Sequence, residues 1–133
     1  MVKYDILFKY IDLFLGDSFG EWFFDKENDG SMAHPIQMPY VIYTKAVDDF
    51  VDDVHLCWEK SGLDDYIHIL KTYGIEWGSE SMSGADVTAL PSYAILALLL
   101  GAARAERFCD GALLGFLKNG CIQKWLLELK AKD

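Results

Sequence analysis

The chain is predicted to be mainly α (α+β minor): a helical domain packed around one buried central helix, with a small β-hairpin in its N-terminal half. Three observations lead there. Val87 to Ala103 is a run of seventeen residues without a charge, so a helix drawn through it has no face for water and must be buried. Two segments, 2–15 and 44–60, repeat apolar residues at three and four, the period of an amphipathic helix. Between them, an aromatic run and an extended Met-Pro-Tyr segment flank a turn signal, as in a hairpin.

In chain order, Tyr4, Leu7, Phe8, Ile11, Phe14 and Leu15 form the inner stripe of the first helix, with Gly16 placed to end it. Gly20-Glu-Trp-Phe-Phe-Asp25 and Gln37-Met-Pro-Tyr-Val-Ile-Tyr43 are the two strands, joined across Lys26-Glu-Asn-Asp-Gly30. Pro35 and Pro39 keep the second strand at an edge or bend it. Thr44 is the expected N-cap of a helix to about Lys60 whose stripe is Val47, Val51, Val54 and Trp58, widened by Phe50 and Cys57. Asp64 to Tyr73 predicts a shorter helix with Ile67, Leu70 and Tyr73 inward and Gly74 at its end. Glu76 to Ala85, rich in Gly, Ser and Met, predicts an exposed loop. The central helix has Pro91 in its first turn and is expected to reach about Phe108. Asp110-Gly111 marks a break or a new N-cap. Helices over Ala112–Lys118 and Ile122–Lys130 follow, divided by Asn119-Gly120.

A length of 133 residues fits one domain. With 52% hydrophobic residues, 4 Trp, 7 Tyr and 8 Phe, a domain this size cannot hide every large side chain. A homodimer or another hydrophobic partner surface is therefore expected. The net charge of −9 and the scarcity of basic clusters exclude direct nucleic-acid binding, which needs Lys and Arg against phosphates. An acidic chain is better matched to a basic protein surface. Three cysteines without paired spacing argue against a disulfide framework and for a reducing cytoplasm. The charged amphipathic start is not a signal peptide. Pro91 interrupts the apolar run, so no membrane span is expected.

Four groups of residues are candidate sites. Arg104, Glu106, Arg107 and Asp110 collect where the buried helix ends. On a continuing helix, Glu106 and Asp110 share a face beside Arg107. Such a group is either a polar pocket, with a carboxylate base or ligand and Arg107 as an anion clamp, or an internal knot in which Arg107 or Arg104 neutralises the acids. Asp110 is also placed to cap the next helix, and Cys109 reads as a structural thiol rather than a nucleophile. Next, Asp48, Asp49, Asp52 and Asp53 line the second helix. Asp48, Asp52 and His55 fall on one face, a conceivable metal set, though a solvated or partner-docking face fits better. Asp25 to Gly30 imitates the start of a calcium loop, but Ile36 stands where a bidentate Glu is required, so a turn is expected. Finally Phe19, Trp22, Phe23, Phe24, Tyr40 and Tyr43 form an aromatic front, half for the core and half for a partner surface. No phosphate loop, nucleophile elbow or paired-cysteine zinc site is present, so no cofactor and no metal are expected.

Glu106-Arg-Phe-Cys-Asp-Gly111, followed by Gly115, Asn119-Gly120 and a Leu-rich tail, resembles the C-terminal signature of a small uncharacterised bacterial domain family, a domain of unknown function. The Met-Pro-Tyr strand and acidic helix at 38–55 extend that resemblance over most of the chain. It implies that 106–111 is a family hallmark and implies no activity. The expectation is a non-catalytic cytoplasmic module, bacterial or phage-borne. It would bind a protein partner, or itself, through Asp48, Asp49, Asp52, Asp53, Trp22, Phe24 and Tyr40. The alternative is a small enzyme or ligand-binding domain with its pocket at Glu106, Arg107 and Asp110.

Overall fold

The structure, a computed structural model, describes residues 4–15, 19–23, 40–63, 65–109 and 111–132. Its elements run α1 (Asp5–Leu13), β1 (Gly20–Phe23), β2 (Tyr40–Tyr43), α2 (Lys45–Ser61), α3 (Tyr66–Thr72), α4 (Ser79–Ser83), a 3-10 turn (Val87–Ala89), α5 (Ser92–Ala105), α6 (Ala112–Lys118) and α7 (Cys121–Lys132). The fold is mainly α, with one two-stranded antiparallel sheet.

α5 is the axis. Ala94 through Ala103 are all buried, so no side of the helix meets water. α2, α3, α6 and α7 close around it, because an apolar helix of this kind is stable only when each face finds a partner. Gly101 lets one neighbour come very close. The Trp77 indole donates from Nε1 to the Gly101 carbonyl at 3.1 Å. A β-carbon at Gly101 would stand 3.0 Å from Met82 Cε and 3.3 Å from Trp77 Cδ1.

α1 lies against α2 and α7. Its contact with α2 is aromatic: Tyr10 and Phe14 each meet Phe50 edge-on with ring centroids 5.2 Å apart. Phe19, ahead of β1, extends the cluster through Phe14 at 5.7 Å. The Tyr10 hydroxyl donates to Asp53 Oδ2 at 2.5 Å, tying the two helices at the edge of this cluster. In the hairpin, Gly20 pairs with Tyr43 and Trp22 with Val41. Its expected turn at 26–30, the calcium-like segment and both Pro35 and Pro39 lie outside the described residues, as does Gly16.

Several expectations need correction. Leu15 is 71% exposed, and Tyr10 is the residue that completes the buried stripe of α1. In α3 the inward pair is Tyr66 and Leu70, while Ile67 and Tyr73 face out. Asp65 Oδ1 accepts from Ile67 N–H at 3.0 Å and starts the helix at Tyr66, and α3 packs on α5 with the Tyr66 and Leu70 side buried. Residues 76–85 are not an exposed loop. α4 lies there, Met82 is fully buried against α5, and Ala85 is buried too. α5 ends at Ala105, short of the expected Phe108, because Glu106 finds partners elsewhere. Thr44 sits at the N-cap of α2 without a side-chain cap bond.

Leu98→Ala is expected to lower unfolding free energy by about 2–5 kcal/mol in urea titration, because the site is closed on every side. A loss well under about 1 kcal/mol would contradict a fully enclosed α5. A second expectation concerns alkaline pH. Burial, with the Asp53 charge, pushes the Cys57 thiol up from 9.0 to about 11. The native state holds that proton more tightly than the unfolded chain does. The resulting stability is complete below pH 9.0 and is lost as pH rises through about 11. Cys57→Ala should show a shallower alkaline decline; an identical slope would contradict the assignment.

Candidate functional site

The site is built where α5 ends. After Ala105 the chain turns, with Arg107 N–H donating to the Arg104 carbonyl at 3.1 Å and Cys109 N–H to the Ala105 carbonyl at 3.0 Å. Gly111 then reverses direction at φ +89° and α6 begins. The first N–H groups of any helix lack intrahelical acceptors, and its N-terminus attracts negative charge. Glu106 meets both demands. Its Oε1 accepts from Gly111 N–H at 3.1 Å and Leu113 N–H at 3.0 Å, and its Oε2 accepts from Gly111 N–H at 2.9 Å. The Tyr43 hydroxyl donates to the same Oε1 at 2.6 Å and accepts from Leu114 N–H at 3.0 Å. One carboxylate and one phenol thus satisfy three backbone donors at the start of α6, those of Gly111, Leu113 and Leu114, and join it to β2.

Gly111 is the residue this arrangement requires. Its φ lies in the left-handed region, and the Trp22 indole rests against its α-carbon, where a β-carbon would approach Trp22 Cη2 to 2.7 Å. Trp22 itself is 41% exposed. The hairpin therefore presses on this turn through both strands, Trp22 from β1 and Tyr43 from β2.

Neither arginine neutralises Glu106. The ion pairs among the described residues are Lys9–Asp53, Lys45–Asp49 and Lys132–Glu128. Arg104 instead lies over the Tyr66 ring, 5.3 Å from its centroid. Arg107 is exposed. α5 ends at Ala105, ahead of Glu106; Asp110, expected to share a helical face with it, and Phe24 are outside the described residues. Tyr40 is placed by its backbone at the first position of β2.

The four aspartates of α2 divide into two pairs. Asp49 is bridged to Lys45 at 2.7 Å, and Asp53 takes the Tyr10 hydroxyl and Lys9, the latter at 3.5 Å. Asp48 and Asp52 are exposed, without an ion-pair partner among the described residues, and they line a groove of about 430 Å³. Val47, Val51, Ala103 and Leu113 give that groove an apolar lining; His55, Tyr43, Glu106 and Arg107 complete it. The structure thus brings two candidate groups, the acidic helix and the exit of α5, to one cavity.

His55 Nδ1 lies 2.8 Å from the Val51 carbonyl. A carbonyl can only accept, so Nδ1 carries the hydrogen and the lone pair of the neutral ring belongs to Nε2. Nε2 is buried and has no hydrogen-bond partner among the described residues. Among those residues, no three His, Cys, Asp or Glu side chains are grouped to hold a metal ion, so Asp48, Asp52 and His55 do not form a metal set.

The family model described as "Family of unknown function (DUF6508)" matches residues 2–132. The chain belongs to this family. No curated protein and no solved structure matches it. In this DUF6508 chain the 106–111 segment has a structural task that accounts for Glu106 and Gly111 together. Tyr43 is a partner of Glu106 that the sequence does not signal. The two residues are 63 positions apart, and no local pattern connects them.

Glu106→Gln is expected to cost about 1.5–3 kcal/mol, because charge-assisted bonds to backbone donors are lost. Arg107→Ala should stay within about 0.5 kcal/mol of wild type, as exposed substitutions do. Denaturant unfolding of both variants tests the pair. A large loss at Arg107 with none at Glu106 would restore the ionic knot.

Proposed function

We propose that this domain is a non-catalytic interaction module that receives a basic segment of a protein partner along the acidic face of α2. The carrying observation is the pair Asp48 and Asp52, without an ion-pair partner among the described residues and set on the rim of a groove with an apolar lining. A carboxylate rim over such a lining suits long basic side chains, whose stems cover apolar surface while their heads meet the acids. Glu106, a candidate base in the groove, is committed to backbone N–H groups at the start of α6 and to Tyr43, which favours binding over catalysis. The three free cysteines suit a reducing cytoplasm, and the bacterial or phage-borne setting rests on the resemblance read at 106–111 alone.

The alternative, a small-molecule pocket, draws support from the groove's size of about 430 Å³, within the roughly 300–1,000 Å³ typical of ligand sites. Self-association would use exposed apolar residues such as Leu13, Ile42 and Phe108.

Titration with an Arg- and Lys-rich peptide distinguishes these readings. Affinity should fall as salt rises. It should weaken roughly three- to tenfold in the Asp48→Asn/Asp52→Asn double variant. Asp49→Asn should bind like wild type, its charge being already paired. Binding that ignores both salt and the double substitution rejects the proposal.

A further inference from the structure

The turn between α6 and α7 consists of Asn119 and Gly120, and it brings together the parts of an intramolecular reaction. Of the two asparagines in the chain, Asn28 precedes an aspartate and Asn119 precedes a glycine. Glycine has no β-carbon, so its backbone nitrogen is open to approach. That nitrogen can attack the Cγ of the asparagine before it. The bond from nitrogen to Cγ forms as the bond from Cγ to Nδ2 breaks, and the amide proton leaves with Nδ2 as ammonia. Water then opens the cyclic imide at one carbonyl or the other, giving aspartate or isoaspartate. Water is the sole co-reactant.

Two features of the turn favour this chemistry. Asn119 is exposed. Its Oδ1 accepts from the N–H of Cys121, the first residue of α7, at 3.0 Å. Negative charge builds on that oxygen as Gly120 attacks, and a donor at a helix N-terminus stabilises it.

Two other features hold the reaction back. Asn119 has ψ −1°, which sets the Gly120 nitrogen alongside the nitrogen of Asn119 and away from its side chain. The Gly120 N–H donates to the Leu117 carbonyl at 3.3 Å. Attack requires rotation about the Cα–C bond of Asn119, and that rotation breaks the Gly120 bond. The turn is suited to such an opening. Neither residue is buried, and the contact from Asn119 Nδ2 to Ser83 Oγ is long, at 3.4 Å. Exposed turns held by few bonds open without unfolding the core.

We infer that Asn119 is a self-modification site: local opening of the α6–α7 turn in the native protein lets Gly120 convert it to aspartate and isoaspartate. The two products differ in consequence. Aspartate keeps an oxygen for the Cys121 N–H and adds a favourable charge at the start of α7. Isoaspartate lengthens the backbone by one carbon within the turn, where Gly120 is already in the left-handed region at φ +83°. It releases the cap and loosens α7, whose Ile122, Trp125, Leu126 and Leu129 are buried.

The test incubates the full chain in mildly alkaline buffer, folded or in urea. Mass spectrometry follows the peptide containing residue 119, and isoaspartate is assayed separately. Conversion should be measurable in the folded protein and roughly tenfold or more slower than in urea, since only the open fraction reacts. In urea, Gly120→Ala should slow the reaction several-fold, and Asn28 should lag behind Asn119. Leu98→Ala weakens the core and not the turn, so the folded rate should stay within about twofold of wild type. Asn119→Asp should unfold at the urea concentration of the wild type, and the purified isoaspartate form at a lower one. Equal rates in buffer and urea overturn the inference, because the turn then restrains nothing. Conversion in urea with none in the folded protein overturns it too, as does a rate that rises many-fold in Leu98→Ala, which would route the reaction through global unfolding. An unchanged rate for Gly120→Ala in urea removes the backbone attack itself. An isoaspartate form as stable as Asn119→Asp overturns the consequence for α7.

Discussion

An α-helix with no polar face imposes its needs on everything around it. In this chain α5 is buried from Ala94 to Ala103 without interruption, so its neighbours must cover a full cylinder rather than one stripe. That requirement accounts for the placement of α2, α3, α6 and α7 around it, and for α4, whose Met82 and nearby Trp77 close the gap over Gly101. Interiors are packed to crystal density, so the small residues of α5 matter as much as its leucines. Alanine and glycine positions on the helix set how near each neighbour can lie.

The exit from that enclosed helix creates a second demand. A chain leaving the core must supply acceptors for the next helix's first N–H groups, since these are partly withdrawn from water. Glu106 supplies them for α6, with Tyr43 sharing the task. The same contacts attach the hairpin to the helical core, because Tyr43 ends β2 and Trp22 lies against Gly111. A negative charge at a helix N-terminus is favourable in its own right. The acid therefore needs no arginine, and both Arg104 and Arg107 are left for other contacts.

The surface charge follows the same logic of partnership. Of the four consecutive-turn acids on α2, Asp49 and Asp53 are balanced by Lys45, Lys9 and Tyr10, whereas Asp48 and Asp52 face the groove. The net charge of −9 describes the chain as a whole. What a partner would sense is this local imbalance, opposite a single exposed arginine over an apolar lining. The proposed use of the groove follows from that arrangement rather than from total charge.

The sequence by itself determined the mainly helical class, the buried central helix, the hairpin strands and the place of every α-helix but α4. These depend on local periodicity, on turn residues such as Asn119-Gly120, and on an uncharged run long enough to admit one interpretation. It also marked the right stretch, 104–111, as unusual, because charges after a buried helix stand out without any coordinates. Only the tertiary structure decided what those charges do. Whether Glu106 pairs with an arginine or with backbone N–H groups depends on where α5 stops and which way Gly111 turns the chain. The partner Tyr43 arrives from 63 residues away. Likewise, a helical period placed all four aspartates on α2 and Lys45 one turn before Asp49, but only packing brought Lys9 and Tyr10 of α1 beside Asp53. Periodicity encodes a residue's face on its own element; contacts between elements are fixed by packing, which no local pattern records.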